Sequence, residues 1–368
     1  MNHIKVIKQG LKKNKKRKQH ISLTGEETEL IHRIRQETGN LNKNNVTRTK
    51  AYLDFYMEHP EVHWAFLAHM VSRNGGWNMT DLKCELLIRL LSKKEGEMFF
   101  SFIERGNWLI FQDAYPQLLL YRESLKRGKP LFFLLPYLHI SIFMETIWNH
   151  FWKNKNESVL TTALIVNEQN YIEERVIQHP RYKKEVFNKL EFIIQDLLSF
   201  NHILFPYVKN GSVNLAGQTV NQFESLHQRI LLGKRLYAVL FNDTDVLKGA
   251  EKWAMSQPHT GSRKDFWPHI FNKIHEGLPG EEYQFQLKGC KLRPGGRRIY
   301  SPVLESSWEN IKHPAAEPGD WFEDIIQVAD YFKGAEDFLN GEIENEYCKT
   351  LERLELAVMA KKTVSTLD

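Results

Sequence analysis

The 368-residue sequence predicts an all-α protein, a single large helical domain with an irregular, Pro/Gly/Trp-rich C-terminal segment. Three observations predict it. Apolar residues recur at three- and four-residue spacing through most of residues 21–256. Helix-start signals stand before many of those runs. The texture then changes at residue 257, where Pro, Gly and Trp accumulate. The chain divides into a disordered basic arm (1–20), a helical core (21–256), an irregular cover packed on that core (257–320), and C-terminal helices with a tail (321–368).

The arm carries Lys5, Lys8, Lys12, Lys13, Lys15, Lys16, Arg17 and Lys18 and no acid. A run of like charge this dense reads as solvated and disordered. Removing those eight from 50 basic residues leaves 42 against 45 acids, a formal charge of −3 for the body. A broad basic face for nucleic acid is therefore not expected on the folded part. Weak attachment to nucleic acid or anionic lipid would come through Lys12, Lys13, Lys15, Lys16, Arg17 and Lys18.

In "LTGEETELIHRIRQET" Thr24 caps a helix with Glu27 three residues on, and Leu30, Ile31 and Ile34 form its stripe. Thr47 or Thr49 caps the next helix, which holds Tyr52, Phe55 and Tyr56. His59-Pro60 opens a third, since proline suits a first turn. Trp64, Leu67, Ala68 and Val71 give it an i, i+3, i+4, i+7 face. That helix should end at Asn74-Gly75-Gly76, because glycine accepts positive φ. Asn78, with Asp81, should cap a new helix reaching Leu91. Further helices are expected at 95–105, 108–126, 131–153, 158–177, after His179-Pro180, at 213–232 and 234–256, and at 320–339 and 342–360. A minor β element near "YQFQLKGCKL" is the one departure.

Several function classes are excluded on spacing. Cys84, Cys290 and Cys348 form no CxxC or CxxH pattern, so no disulfide framework or cysteine-rich zinc site is expected, and a reducing compartment is. No apolar h-region follows the charged N-terminus. The longest apolar stretch, Leu131–Met144, is 14 residues and holds Pro136, His139 and Ser141, too short and too interrupted to span a bilayer. No transmembrane segment is expected, and the cytoplasm is the default location. "HPEVH" sets His59 and His63 at i, i+4, but Pro60 puts His59 outside the helix and no third ligand follows, so no metal is expected. No cofactor motif appears. "LRPGGRRIY" reads as a basic turn.

The candidate site lies at the expected 69–82 corner, where turn chemistry leaves several polar groups uncommitted. His69 stands one helical turn before Arg73. A pocket is expected from Arg48, Thr49, Tyr52, His69, Arg73, Asn74, Trp77 and Asn78, joined by Thr260, Ser262 and Arg263 from "SQPHTGSRKDFWPH". Hydroxyls, backbone N–H groups and guanidinium groups suit a small polar or anionic ligand. The same loop is neither a Walker loop nor a nucleophile elbow. On "YLHISIFMETIWNHFW", His139, Thr146 and His150 with Glu145 read as a solvated polar face, with a buried Glu145–histidine acid–base pair or a membrane-surface helix as the alternatives. The amides Asn214, Gln218, Asn221 with Ser225 either line a polar cleft or face water.

The run "NVTRTKAYLDFY…HPEVHWAFLAHMVSRNGGWNMTDL", with the later "YPQLLLY" and "QPHTGSR", resembles a YppC-like family of uncharacterised proteins of Bacillus and related Firmicutes. The resemblance covers residues 40–345. It implies a bacterial cytoplasmic protein built on a domain of unknown function, and carries over no catalytic residue, cofactor or substrate. The residues themselves support a non-catalytic helical protein that binds a partner or a small polar or anionic ligand near the 69–82 corner. The alternative is a hydrolase of a phosphorylated or other anionic substrate, with His69 or His259 as acid–base and Arg73 and Arg263 holding the anion.

Overall fold

The computed structural model describes residues 3–16, 22–184, 202–278, 281–333 and 341–365. They are mostly helical, with three two-stranded pairs among them. The all-α expectation therefore holds only as "mostly helical".

Residues 3–16 of the expected disordered arm form helix α1 (His3–Lys16). Ile7 and Leu11 lie at helical spacing between the lysines, and both are buried. They seat α1 on helix α6 (Ile142–Asn154). Gly10 permits the contact, since a side chain there would run into the Thr146 methyl. This docking corrects a second expectation. Glu145, Thr146 and His150, read as a solvated face, are buried. Residues 17–21 lie outside the described residues.

Helix α2 (Gly25–Leu41) starts in the expected capping box: Thr24 Oγ1 accepts from Glu27 N, and Glu27 accepts from Thr24 N at 2.8 Å. Helix α3 (Asn45–Glu58) is capped by Asn44, with Thr47 as its reciprocal partner. Helix α4 (His63–Asp81) begins after the His59–Val62 turn and runs unbroken through the glycine pair. The expected corner at 74–78 does not exist. Helix α5 (Lys93–Arg127) merges the two helices expected at 95–105 and 108–126 into one of 35 residues. A Ser92–Glu95 box starts it, and Gly128 at φ +65° ends it.

The apolar 131–153 stretch is not one helix. Residues Phe132–Leu138 form a 3₁₀ turn closed by His139 at φ +63°, and Ser141 caps α6. Pro136 and the serine cap explain the break. Helix α7 (Glu157–Ile172) passes into a π turn at Glu173–Ile177. The helix expected after His179-Pro180 begins at Pro180–Tyr182, and its span 185–201 lies outside the described residues.

The expected 213–232 helix is overturned. Strands β1 (His202–Lys209) and β2 (Ser212–Thr219) pair antiparallel, from His202↔Thr219 to Lys209↔Ser212. Their turn is Asn210-Gly211, both at positive φ, the geometry that matches strand twist. The amide stripe dissolves with the helix: Asn214 and Gln218 are strand residues, and Ser225 caps helix α8 (Leu226–Phe241). Helix α9 (Thr244–Ser256) follows a cap at Asp243.

Residues 257–320 hold only short elements. Strands β3 (Phe271–Asn272) and β6 (Ile299–Tyr300) pair parallel. The β element near "YQFQLKGCKL" is the hairpin of β4 (Leu287–Lys288) and β5 (Lys291–Leu292). It docks on the last helix, α10 (Glu344–Ser365), whose buried Glu355 accepts from Gln286 N, Leu287 N and the Tyr283 hydroxyl. A disulfide joins Cys290 of the hairpin turn to Cys348 of α10, with Cα atoms 5.3 Å apart. The sequence reading expected no such bond, because 58 residues separate the pair and only the hairpin docking brings them together. Of the expected 320–339 helix, the described part forms 3₁₀ turns at Ile325–Gln327 and Ala329–Phe332.

Helix α4 is central. It packs on α3, α5, α7, α8 and β1, and most of its side chains are buried. Among the described residues, no helix is long and apolar enough to cross a membrane.

Candidate functional site

The eleven residues expected at the site all lie on or against the two flanks of α4. One flank is a closed seam. Gly76 lets it close: any Cβ at 76 would fall on Asn45 Oδ1 and His259 Nε2. Those two atoms are 2.7 Å apart. Asn45 donates its amide N–H groups to the Ser72 carbonyl (2.9 Å) and hydroxyl (3.1 Å), so its Oδ1 is the acceptor and His259 Nε2–H the donor. Thr49 and Ser72 hydroxyls meet at 2.6 Å.

His69 is locked in the same way. Its Nδ1 lies 2.8 Å from the Thr49 carbonyl and must donate. Its Nε2 accepts from Arg73 Nε at 2.9 Å. The imidazole is neutral with both nitrogens occupied, and burial beside Arg73 holds its pKa well below the usual value. The Arg73 guanidinium donates to the carbonyls of Ala254 (3.2 Å) and Gln257 (2.5 Å) and lies 4.4 Å over the Trp253 ring. Burial pulls its pKa down to about 10. Asn74 exchanges two 2.8 Å hydrogen bonds with the backbone of Leu204, taking the place of a strand partner for β1. Trp77 fills the space between Trp253, His259 and Phe266.

The cover is clamped lower on the same helix. Arg263 grips Asp81 through two nitrogens, at 2.9 and 2.6 Å, and also reaches Asn78. Thr80 donates to the Gly261 carbonyl. Thr260 is held by Asp265, and Ser262 donates to the Ser301 carbonyl at 2.6 Å. The 69–82 and 256–263 segments are in contact, but Arg48, expected in the same pocket, lies on the other flank. They meet as a packed joint, and its arginines are already engaged.

The opposite flank of α4 is hollow. A cavity of about 260 Å³ lies between α3, α4, α5, α7 and α8, and Arg48, Tyr52, Ser72 and Asn78 line it. Its other walls are largely apolar, including Leu67, Val71, Ile110 and Ile165. Arg48 is paired with Glu104 at 2.5 Å. The residue that stands out is Glu168 of α7. It accepts from Trp64 Nε1 and Gln169 Nε2, both at 3.2 Å. Burial first, and the neighbouring Asp113 second, push its carboxyl up to about 8.

A larger cleft of about 850 Å³ lies between Trp108 and Asp113 of α5 and the strap 313–322. Arg105 and Arg175 hold the strap by its Pro314, Glu317 and Gly319 carbonyls. Asp113 accepts from Gln117 and Asn167, and burial pushes its carboxyl to about 7.

The sequence reading singled out neither Asp113 nor Glu168. Each is an acid inside a long apolar helix, "LIFQDAYPQLLLY" and "LTTALIVNEQ", and that placement was the available signal. The "HPEVH" histidines part company: His63 bonds the Tyr237 hydroxyl, while His59 lies beside Glu61. Arg297 and Arg298 of the basic turn pair with Glu281 and Glu276.

Fold and site thus define a mostly helical protein whose central helix carries a welded polar joint on one flank and a largely apolar cavity on the other. The chain belongs to the family described as "Protein of unknown function (DUF2515)", which matches residues 40–347. The uncharacterized protein YppC of Bacillus subtilis (strain 168) is 45% identical over 236 residues, 64% of this chain and 72% of that protein. No solved structure matches the chain.

Proposed function

We propose that this chain is a helical ligand-binding protein that takes a small, uncharged, largely apolar molecule into the cavity beside α4. One observation carries the reading: Glu168 faces a mostly apolar hollow, where desolvation pushes its carboxyl up to about 8. An apolar wall with a few convergent polar groups is the common form of a small-molecule site. A cavity of ~150 Å³ is known to be enough for benzene, so this one accommodates a single ring or short chain with substituents. An anion fits poorly, because Arg48, Arg73 and Arg263 already have partners. A hydrolase built on His69 would need a free ring nitrogen, and both of its nitrogens are occupied.

Toluene should raise the melting temperature saturably, because a ligand that binds only the folded state stabilises it in proportion to its occupancy. The variant Ala68→Leu, which fills the cavity, should abolish that shift. A shift absent in the native chain, or unchanged in Ala68→Leu, overturns the reading.

A second surface reading rests on α1. With Ile7 and Leu11 turned onto α6, Lys5, Lys8 and Lys12 are exposed. Weak, salt-sensitive attachment to polyanions follows through the basic run Lys12–Lys18. Replacing Lys12, Lys13, Lys15 and Lys16 by Gln leaves the apolar contact intact. It should remove retention on heparin at low salt, and unchanged retention sinks the idea.

A further inference from the structure

The polar groups turned to the cavity share one hydrogen-bonding sense. Tyr52 lines it as a buried phenol whose ionisation is strongly opposed by burial and by Glu168, so it offers an O–H. Its hydroxyl forms no hydrogen bond within the described residues. Glu168 adds a second O–H in its neutral form, while its oxygens already accept from Trp64 and Gln169. The two groups are neighbours: the Trp64 ring lies 5.5 Å from that of Tyr52, and its indole N–H bonds Glu168.

Most of the acceptors that could answer them within the wall are engaged. Asn78 Oδ1 accepts from Arg263, and Gln169 Oε1 accepts from Arg229. The Asn107 amide is turned onto Gly75 of α4, both its end atoms within about 3.2 Å of where a Cβ at 75 would lie. The Ser72 hydroxyl is held by Asn45 and Thr49. A ligand entering this space therefore meets the Tyr52 and Glu168 donors with most side-chain acceptors around them taken. An apolar molecule leaves both O–H groups unpaired, and an unpaired buried donor is unfavourable. A carbonyl oxygen has two lone pairs and can accept from both.

We propose that the ligand of this cavity is an uncharged hydrogen-bond acceptor, a ketone, ester or lactone on a small hydrocarbon frame, with its carbonyl oxygen held between the hydroxyl of Tyr52 and the carboxyl of Glu168. This assignment rests on the ligand-binding reading above and adds the chemistry of the bound group. The apolar walls take the frame and set its size. The two O–H groups set its orientation, and a carboxylate is disfavoured because Arg48 is already held by Glu104 and the Glu168 carboxyl would lie beside it.

The experiment compares two probes of nearly equal size, acetophenone and ethylbenzene, by calorimetric titration of the full chain at pH 6.5. Both should bind, with acetophenone at least tenfold tighter. Tyr52→Phe keeps the ring and its packing. It should weaken acetophenone about tenfold and leave ethylbenzene unchanged. Titration at pH 9, above the point where Glu168 ionises, should weaken acetophenone again and affect ethylbenzene far less. Equal binding of the two probes to the native chain overturns the acceptor assignment and leaves the ligand-binding reading standing. Acetophenone binding that ignores Tyr52→Phe also overturns the assignment. Failure of both probes to bind overturns the ligand-binding reading itself.

Discussion

Gly76→Ala should destabilise the protein by roughly 2–4 kcal/mol, against the direction that helix propensity gives. In an exposed helix interior the same change stabilises by about 1 kcal/mol. At position 76 the added methyl lands on Asn45 Oδ1 and His259 Nε2. Neither is the loose end of a flexible chain. Asn45 is fixed by three hydrogen bonds, and His259 is walled by Trp77. Overpacking costs about 1–3 kcal/mol, and parting a buried hydrogen-bonded pair costs about 1–3 kcal/mol more. Gly39→Ala is the control, since that glycine is in helix α2 with no atom near its missing Cβ. Denaturant titration of the two variants should give shifts of opposite sign. A stabilised Gly76→Ala would mean that the 257–263 segment is not seated on α4.

The second large effect is at the Arg263–Asp81 clamp. Arg263→Met should cost about 3–5 kcal/mol, because it leaves the Asp81 carboxylate buried without a counter-charge. Asp81→Leu alone strands the guanidinium in the same way, against the Tyr347 ring. The double variant should be far less damaged than the sum of the two, since no lone charge remains and the replacements are apolar. A double-mutant cycle measures this directly. Additive losses would show that the two residues act independently. The cover 257–320 should loosen first in either single variant, and hydrogen exchange at Gly261–Phe266 reports it.

Much of the helical frame was legible. The Thr24–Glu27 box, the Asp/Ser/Asn caps and the apolar stripes act through neighbours three or four residues away, so the chain states them locally. The same holds for His69 and Arg73, one turn apart in sequence and 2.9 Å apart in space. The hairpin at 202–219 was legible too, in its Asn210-Gly211 turn, but the helical spacing read through 213–232 masked it.

The glycine pair was not legible, and the reason is physical. Local rules treat Gly75-Gly76 as a helix stop, since glycine pays the largest backbone entropy there. The helix continues because tertiary contacts outweigh that cost: His259 lies 183 residues away in sequence and needs the space at Gly76. The polar face of α6 was misread for a similar reason, as nothing in its own sequence announces that α1 will cover it.

By itself the sequence determined the starts of α2, α7 and α10 to within a residue or two, which residues carry charge, and that the 69–82 and 256–263 stretches are rich in polar groups. Only the tertiary structure decided what those groups do. Placed in contact and out of water, the arginines found fixed partners and became part of the joint. Desolvation and a neighbouring acid push the Glu168 carboxyl up to about 8. Charge state and pairing depend on dielectric and distance, and neither is defined until the chain has folded.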